Sequence, residues 1–260
     1  MENKLQTGTQ SIERTVEILK RVGSQNTAGI TLAEIARQAK LNTSTAHRIL
    51  GCLVKEGLLM QKGSKRAYFL GMLTYELGLA SNSHFNLQAL CSPVLNRLAR
   101  LTGDTVFLTV RSGSDSVVIQ RAEGTYPIKV LTQTVGERRP LGTTAGGVAL
   151  LTAMPVSERE KIIATSSYRL HGYGKISESL LKKVLERSIK LGYALNENDF
   201  LAGVTGVGVT VPNMLGSSYA ALSVIALSER LGENRRNEVV EMIRIEAAVL
   251  AKALTDSDLN

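Results

Sequence analysis

The sequence has no tryptophan, and its 4 phenylalanines and 7 tyrosines hold aromatics to 4% of 260 residues. Any core must therefore be aliphatic, built from Leu, Ile, Val and Ala. Cysteine is almost missing. Cys52 and Cys91 offer neither a disulfide framework nor metal-ligand spacing. Histidine occurs only at 47, 84 and 171, none in an obvious late-chain position for a catalytic base. No Cys/His/Asp cluster has the spacing of a metal site, and no cofactor is expected. Long apolar runs are also missing, because Gly or polar residues interrupt each one, so no membrane span fits. The opening MENKLQTGTQSIERT lacks an apolar stretch behind a basic start, so no secretory signal is visible. The expected location is cytoplasmic.

A chain of 260 residues, 43% hydrophobic, suits two domains with a sizeable core each. Its net charge of +8 is unevenly placed. Residues 1–75 carry 11 Lys and Arg against 5 Asp and Glu, whereas the remaining 185 carry 20 against 18. A basic first third on a nearly neutral body points to a polyanionic partner for that third. A basic surface serving only solubility is the plainer alternative.

Motifs favour the polyanion. SIERTVEILKRV spaces Ile12, Val16, Leu19 and Val22 near one face of a helix. Thr31-x-x-Glu34 is a capping box, and the helix it opens presents Leu32, Ile35, Ala36 and Ala39 on one side. After only KLN a third helix begins, which is the outline of a helix-turn-helix. On it Ala46, Ile49, Leu50, Leu53 and Val54 recur at core spacing. Ser44, Arg48, Gly51 and Lys55 fall opposite, flanked by His47, Thr45 and Cys52. Thr43, Ser44 and Thr45 sit at the helix start, where hydroxyls cap well and free N–H groups suit a phosphate. A helix entering a major groove reads base edges with its first residues, and short polar side chains allow close approach. A capped surface helix with solvated polar residues is the bland alternative, and the charge bias weighs against it. Two short strands then flank a turn, KGSKR, whose Lys62, Lys65 and Arg66 form a basic hairpin suited to backbone phosphate.

These residues resemble the winged helix-turn-helix of the IclR transcriptional regulators. SIERTVEIL, TLAEIARQAKLNTSTAHRIL and YFLGMLTYELG carry the likeness. The family's Ser-Thr-x-x-Arg is matched by Ser44, Thr45 and Arg48, and its Tyr-x-Leu-Gly by Tyr68, Leu70 and Gly71. The resemblance implies double-stranded operator DNA as partner, with Thr43, Ser44, Thr45, His47, Arg48, Lys55, Lys62, Lys65 and Arg66 as contacts. It also implies a homodimer or homotetramer, with RNA polymerase as a further candidate partner.

Beyond residue 75, DTVFLTVR alternates as a half-buried strand, and SVVIQRAE and PIKVLTQT read as further strands. TTAGGVALLTA, the capping-box segment SEREKIIA (Ser157, Glu160) and SESLLKKVLERSIKLG read as helices, the last with Leu181, Val184, Leu185 and Ile189 inward. GVTGVGVTVPN and SYAALSVIAL are strand-like, and a long amphipathic helix closes the chain. Strands and helices mix without regular βαβ alternation, so the expected class is α+β.

The resemblance extends through this region and implies a GAF-like effector-binding domain. The expected organisation is a winged helix-turn-helix at 1–74, a helical linker at 75–89 and an effector-binding and oligomerisation domain at 90–260. VGERRPLGTTAGGVALL is similar to the family's Gly-x-x-x-Pro-Leu-His-x-Thr-Ala-x-Gly-Lys stretch, but Gly142 stands in place of His and Val148 in place of Lys. By position, Ile128 and Leu131 would form an apolar wall and Ala145-Gly146 would offer backbone N–H groups at a helix start. Asn196, Val204, Gly206, Ser223 and Ile225 would line the sheet side, and Arg139 (or Arg138) would pair with a carboxylate. The implied ligand is a small organic acid from a catabolic pathway. For the apolar positions and the adjacent arginines, plain core packing and solvation are the competing readings.

Enzyme readings are weak. GTTAG at 142–146 imitates a nucleophile elbow with Thr144 as nucleophile, but that motif needs a base and an acid that the chain does not supply. Glycines 203, 206 and 208 run in the wrong order for a dinucleotide fingerprint, and a strand needing small residues explains them. A hydrolase using Thr144, or a DNA-binding protein indifferent to ligands, are the rival functions to a ligand-modulated regulator.

Overall fold

Among the described residues, the apolar side chains of the first 86 positions gather into one small core and those of residues 87–260 into three clusters, and the chain forms two compact units, Met1–Asn86 and Leu87–Asn260. The computed structural model describes residues 9–81, 87–170, 172–173, 176–212 and 220–257. His84, His171, part of the expected linker at 82–86 and the first residues of the expected strand at 218–219 lie outside these.

In the first unit, helices α1 (Gln10–Ser24), α2 (Leu32–Gln38) and α3 (Thr43–Lys55) precede a hairpin of β1 (Leu59–Lys62) and β2 (Ala67–Leu70), followed by α4 (Met72–Ser81). Thr31 caps α2, its hydroxyl accepting from the Glu34 N–H at 3.4 Å. Ile18, Val22, Ile35, Leu50, Leu53 and Tyr68 form the core. Two expectations change. Ile12 and Val16 are exposed, because the buried stripe of α1 runs through Ile18 and Val22, about a third of a turn round the helix from them. Val54 is also exposed, at the edge of the stripe that Ala46, Leu50 and Leu53 define.

The second unit runs α5 (Leu87–Thr102), β3 (Thr105–Ser112), β4 (Asp115–Ala122), β5 (Arg138–Pro140), α6 (Ala145–Thr152), α7 (Val156–Leu170), α8 (Glu178–Leu191), β6 (Ala194–Glu197), β7 (Val204–Val211), β8 (Ala220–Leu227) and α9 (Glu233–Ser257). Its six strands make one antiparallel sheet in the order β5-β4-β3-β8-β7-β6. Alternation along the strands sorts side chains between two faces. Val106, Leu108, Leu222 and Val224 meet α5 and α9, while Phe107, Thr109, Ala221, Ser223 and Ile225 turn to the opposite face, where α6 and α8 pack. The α+β class follows.

Three local readings are corrected. Residues 127–134 form no strand: β5 pairs with Asp115–Val117 of β4, and no backbone ladder joins this segment to the rest of that edge. The segment is tied instead by side chains, with Arg121 donating to the Gln133 carbonyl and Arg139 to that of Thr132. Ser157 lies inside the first turn of α7 rather than capping it, and the Arg159 N–H donates to the Pro155 carbonyl. On α8 Ile189 is exposed and Ser188 is buried in its stead, donating to the Val184 carbonyl and accepting from the Leu195 N–H.

Candidate nucleic-acid interface and ligand cavity

Helix α3 is capped by Asn42, whose Oδ1 accepts from the Thr45 N–H at 2.8 Å. This corrects the reading that the hydroxyls do the capping. Ser44 instead donates to Asn42 Oδ1 at 3.1 Å. Thr43, Ser44, His47, Arg48 and Lys55 are exposed and Thr45 is half-buried, with Ala46, Leu50 and Leu53 anchoring the opposite face in the core. The polar side of α3 is therefore free to meet a partner.

The hairpin register pairs Lys62 with Ala67, and the turn between them is closed by Gly63 and Arg66, both in the left-handed region at φ 77° and 49°. Lys62, Lys65 and Arg66 are exposed on it. Arg21 and Arg37 are spent on ion pairs, with Glu17 and Glu34 respectively. Arg48 and the hairpin cations have no such partner among the described residues, so their charge is available to an anion.

In the second unit, a cavity of about 280 Å³ opens between the start of α6 and the sheet. Of the residues expected there, Arg139, Ala145, Asn196, Val204, Gly206 and Ile225 line it. Four do not. Ile128 and Leu131 are exposed on the irregular segment 127–134, whose buried apolar residue is Val130 instead. Gly146 and Ser223 lie where α6 presses on the sheet: a Cβ at Gly146 would sit 2.9 Å from Thr109 Oγ1 and 3.6 Å from Ser223 Oγ. Gly206 and Gly208 serve the same close approach, with a Cβ at Gly208 falling 2.9 Å from the Ala145 carbonyl oxygen.

Thr132, Thr143, Thr144, Tyr173, Phe200 and Leu201 line the cavity and were not anticipated. Tyr173 and Phe200 had a signal. In a chain so poor in aromatics, both lie outside the periodic apolar runs that account for core. Thr144 caps α6, its hydroxyl accepting from the Gly147 N–H at 3.0 Å, which is a structural task rather than a nucleophile's.

The polar groups of the cavity are distinctive. Arg139 is held by its side edge, Nε donating to Glu137 Oε1 at 2.5 Å and Nη2 to the Thr132 carbonyl at 2.6 Å. Its guanidinium lies 5.5 Å from the centre of the Tyr173 ring. Burial pushes the Tyr173 phenol up from its ordinary pKa, against the pull of Arg169 and Arg139, so it stays a neutral donor. Arg138 points to the other face of β5 and pairs with Asp115 and Ser112, which removes it from the cavity. Asn196 Oδ1 is buried without a hydrogen-bond partner, and the N–H groups of Ala145 and Gly146 have no acceptor among the described residues. A ligand with an anionic end would satisfy Arg139 and the Ala145 N–H, and a hydroxyl on it would satisfy the Asn196 amide oxygen.

The two departures from the family motif have structural counterparts. Gly142 adopts φ +90°, and a Cβ there would lie 2.7 Å from both Leu181 methyls. Val148 is fully buried beside Leu150 and Leu151, where a lysine would strand its charge.

Comparisons agree with this architecture. The sequence pattern of the IclR helix-turn-helix domain matches residues 11–63, and that of the bacterial transcriptional regulator IclR C-terminal region matches residues 79–251. The chain is 26% identical over 252 residues to the HTH-type transcriptional repressor AllR of Escherichia coli (strain K12), spanning 96% of this chain and 92% of that one. Its counterpart in Salmonella typhi is also 26% identical, over 96% and 91%. Among solved structures, an IclR family transcriptional regulator from Brucella abortus superposes with a TM-score of 0.77 at 23% identity, covering 96% of this chain and 94% of that one. An IclR homolog from Microbacterium hydrocarbonoxydans complexed with 4-hydroxybenzoate gives 0.67 at 23% identity, covering 95% and 100%. The similar proteins are regulators of transcription, not enzymes.

Proposed function

The chain belongs to the IclR family of bacterial transcriptional regulators, and from that premise we propose that it is an operator-binding repressor whose grip on DNA is set by a small organic acid held in the cavity beside α6. The polar side of α3 (Thr43, Ser44, Thr45, His47, Arg48 and Lys55) reads the major groove, and Lys62, Lys65 and Arg66 hold backbone phosphate. Residues 1–74 do the DNA work and residues 90–260 bind the ligand and oligomerise. A homodimer or homotetramer fits this role, since one small reading head discriminates poorly between sites.

One observation carries the ligand class. Arg139 faces a cavity that is also lined by Ala145, whose N–H at the start of α6 is unpaired among the described residues. A carboxylate there gains charge-assisted hydrogen bonds, and Phe200, Val204 and Ile225 accept an apolar body. The name repressor borne by AllR and the 4-hydroxybenzoate complex of a similar structure support the two halves of the reading.

Calorimetry of the full chain against keto acids, sugar acids, aromatic acids and their uncharged amides tests it. Tighter binding of the acids than of their amides, with the preference lost in Arg139→Met, is the expected result. Preference for the amides would overturn it.

A further inference from the structure

Arg139 reaches the cavity already carrying a carboxylate of its own chain. Glu137 Oε1 accepts from Nε at 2.5 Å, while Glu137 Oε2 accepts from the Thr134 N–H at 2.9 Å and from its hydroxyl. The pair is four-fifths buried on both sides, and Glu137 does not itself line the cavity. The Thr132 carbonyl occupies Nη2 as well, so the side edge of the guanidinium is filled. Nη1 makes no hydrogen bond among the described residues, which leaves the far edge for a ligand.

We propose that Glu137 is the residue that sets the charge selectivity of this cavity, fixing the far edge of Arg139 toward the ligand and offsetting most of its positive charge. The inference rests on the reading that Arg139 receives the ligand's carboxylate. A bare arginine in a shielded cavity would hold any small acid tightly, and a regulator saturated by every acid present could not report on one. With Glu137 across the guanidinium, an incoming carboxylate meets a second negative charge a few ångströms behind the cation. That repulsion is only partly screened in so buried a place. An acid must then add other contacts, at the Ala145 N–H or through a hydroxyl to Asn196 Oδ1, to bind well. Glu137 is thus a positioning and specificity residue, acting through Arg139 rather than touching the ligand.

The test compares the full-length wild type with Glu137→Gln and Glu137→Ala by calorimetry. The probes are 4-hydroxybenzoate with pyruvate as acids, and 4-hydroxybenzamide as a shape-matched uncharged control. Glutamine keeps the length of the brace and removes the charge. The ratio of carboxylate to amide affinity should rise about tenfold in Glu137→Gln, from loss of one like charge at this range. It should rise less in Glu137→Ala, where the guanidinium loses its brace. A purely structural role would weaken both aromatic probes together and leave the ratio in place. A ratio that stays put or falls in Glu137→Gln, with the wild type still binding acids, overturns the assignment to Glu137 and leaves the acid cavity standing. Failure of the wild type and both variants to bind either acid overturns the underlying reading, and this inference with it.

Discussion

Putting a side chain on Gly142 should damage the second unit by an amount that can be worked out in advance. Gly142 sits at φ +90°, and a Cβ would stand 2.7 Å from Leu181 Cδ1 and Cδ2 and 3.1 Å from Leu151 Cδ1. The backbone part of the cost, an L-residue in the left-handed region, is about 1–2 kcal/mol. The packing part is overfilling against a Leu181 that is only 1% exposed and cannot step aside into solvent. It adds roughly 1–3 kcal/mol. Gly142→Ala should therefore cost about 2–5 kcal/mol and lower the melting point of the 87–260 unit by roughly 5–15 °C. The 1–86 unit should be untouched. Differential scanning calorimetry of the full chain, read one transition at a time, follows this. Truncating Leu181 separates the two parts. In a Leu181→Ala background those methyls are gone, and Gly142→Ala should cost its backbone share and the lesser contact with Leu151 Cδ1. Equal costs in the two backgrounds would show that Leu181 does not fill the space. A cost below about 0.5 kcal/mol would refute both parts.

Other expectations bear on the DNA face and the thiols. Arg48→Ala should lose specific operator affinity by about 1–3 kcal/mol with folding and assembly unchanged, read by gel shift beside circular dichroism; unaltered affinity would take Arg48 off the reading face. Replacing Lys62, Lys65 and Arg66 with Gln should weaken specific and random DNA alike and flatten the slope of log affinity against log salt by roughly 0.9 for each phosphate no longer neutralised. A fixed slope would place the hairpin away from phosphate. Cys52 is exposed, whereas Cys91 is fully buried with its thiol pushed up to about 11. A thiol reagent at neutral pH should therefore label one site in the folded protein and two after denaturation, and rapid labelling of Cys91 would mean that α5 opens readily.

Much of the first unit could be read from sequence, because its signals are local. The short KLN turn, the Thr31 cap and the core spacing of Ala46, Leu50 and Leu53 need no distant partner, and the structure shows each. Where spacing misled, a partner decided. Ile12 and Val16 have helical spacing, but only Ile18 and Val22 find the hydrophobic core. The segment 127–134 has strand composition, yet the Arg121 and Arg139 side chains tie it down in place of a ladder. The cavity was half legible for the same reason. Asn196, Val204, Gly206 and Ile225 follow from the family resemblance, and the last three also fall in segments that read as strands. Tyr173 and Phe200 come from connections whose course only the packed fold determines, and the Glu137 brace depends on a hydrogen bond that no periodicity announces.

The central claim, that a small acid in the second unit governs DNA binding by the first, is tested most directly by one titration. Fluorescence anisotropy would follow the full chain binding the DNA upstream of its own gene, with and without the tightest-binding acid found by calorimetry, in wild type and in Arg139→Met. The account predicts that the acid shifts operator affinity at least fivefold in the wild type, as a coupling of about 1 kcal/mol requires. It predicts no shift in Arg139→Met, whose affinity without acid stays that of the wild type. An operator affinity unmoved by a saturating acid, or moved equally in Arg139→Met, would contradict it.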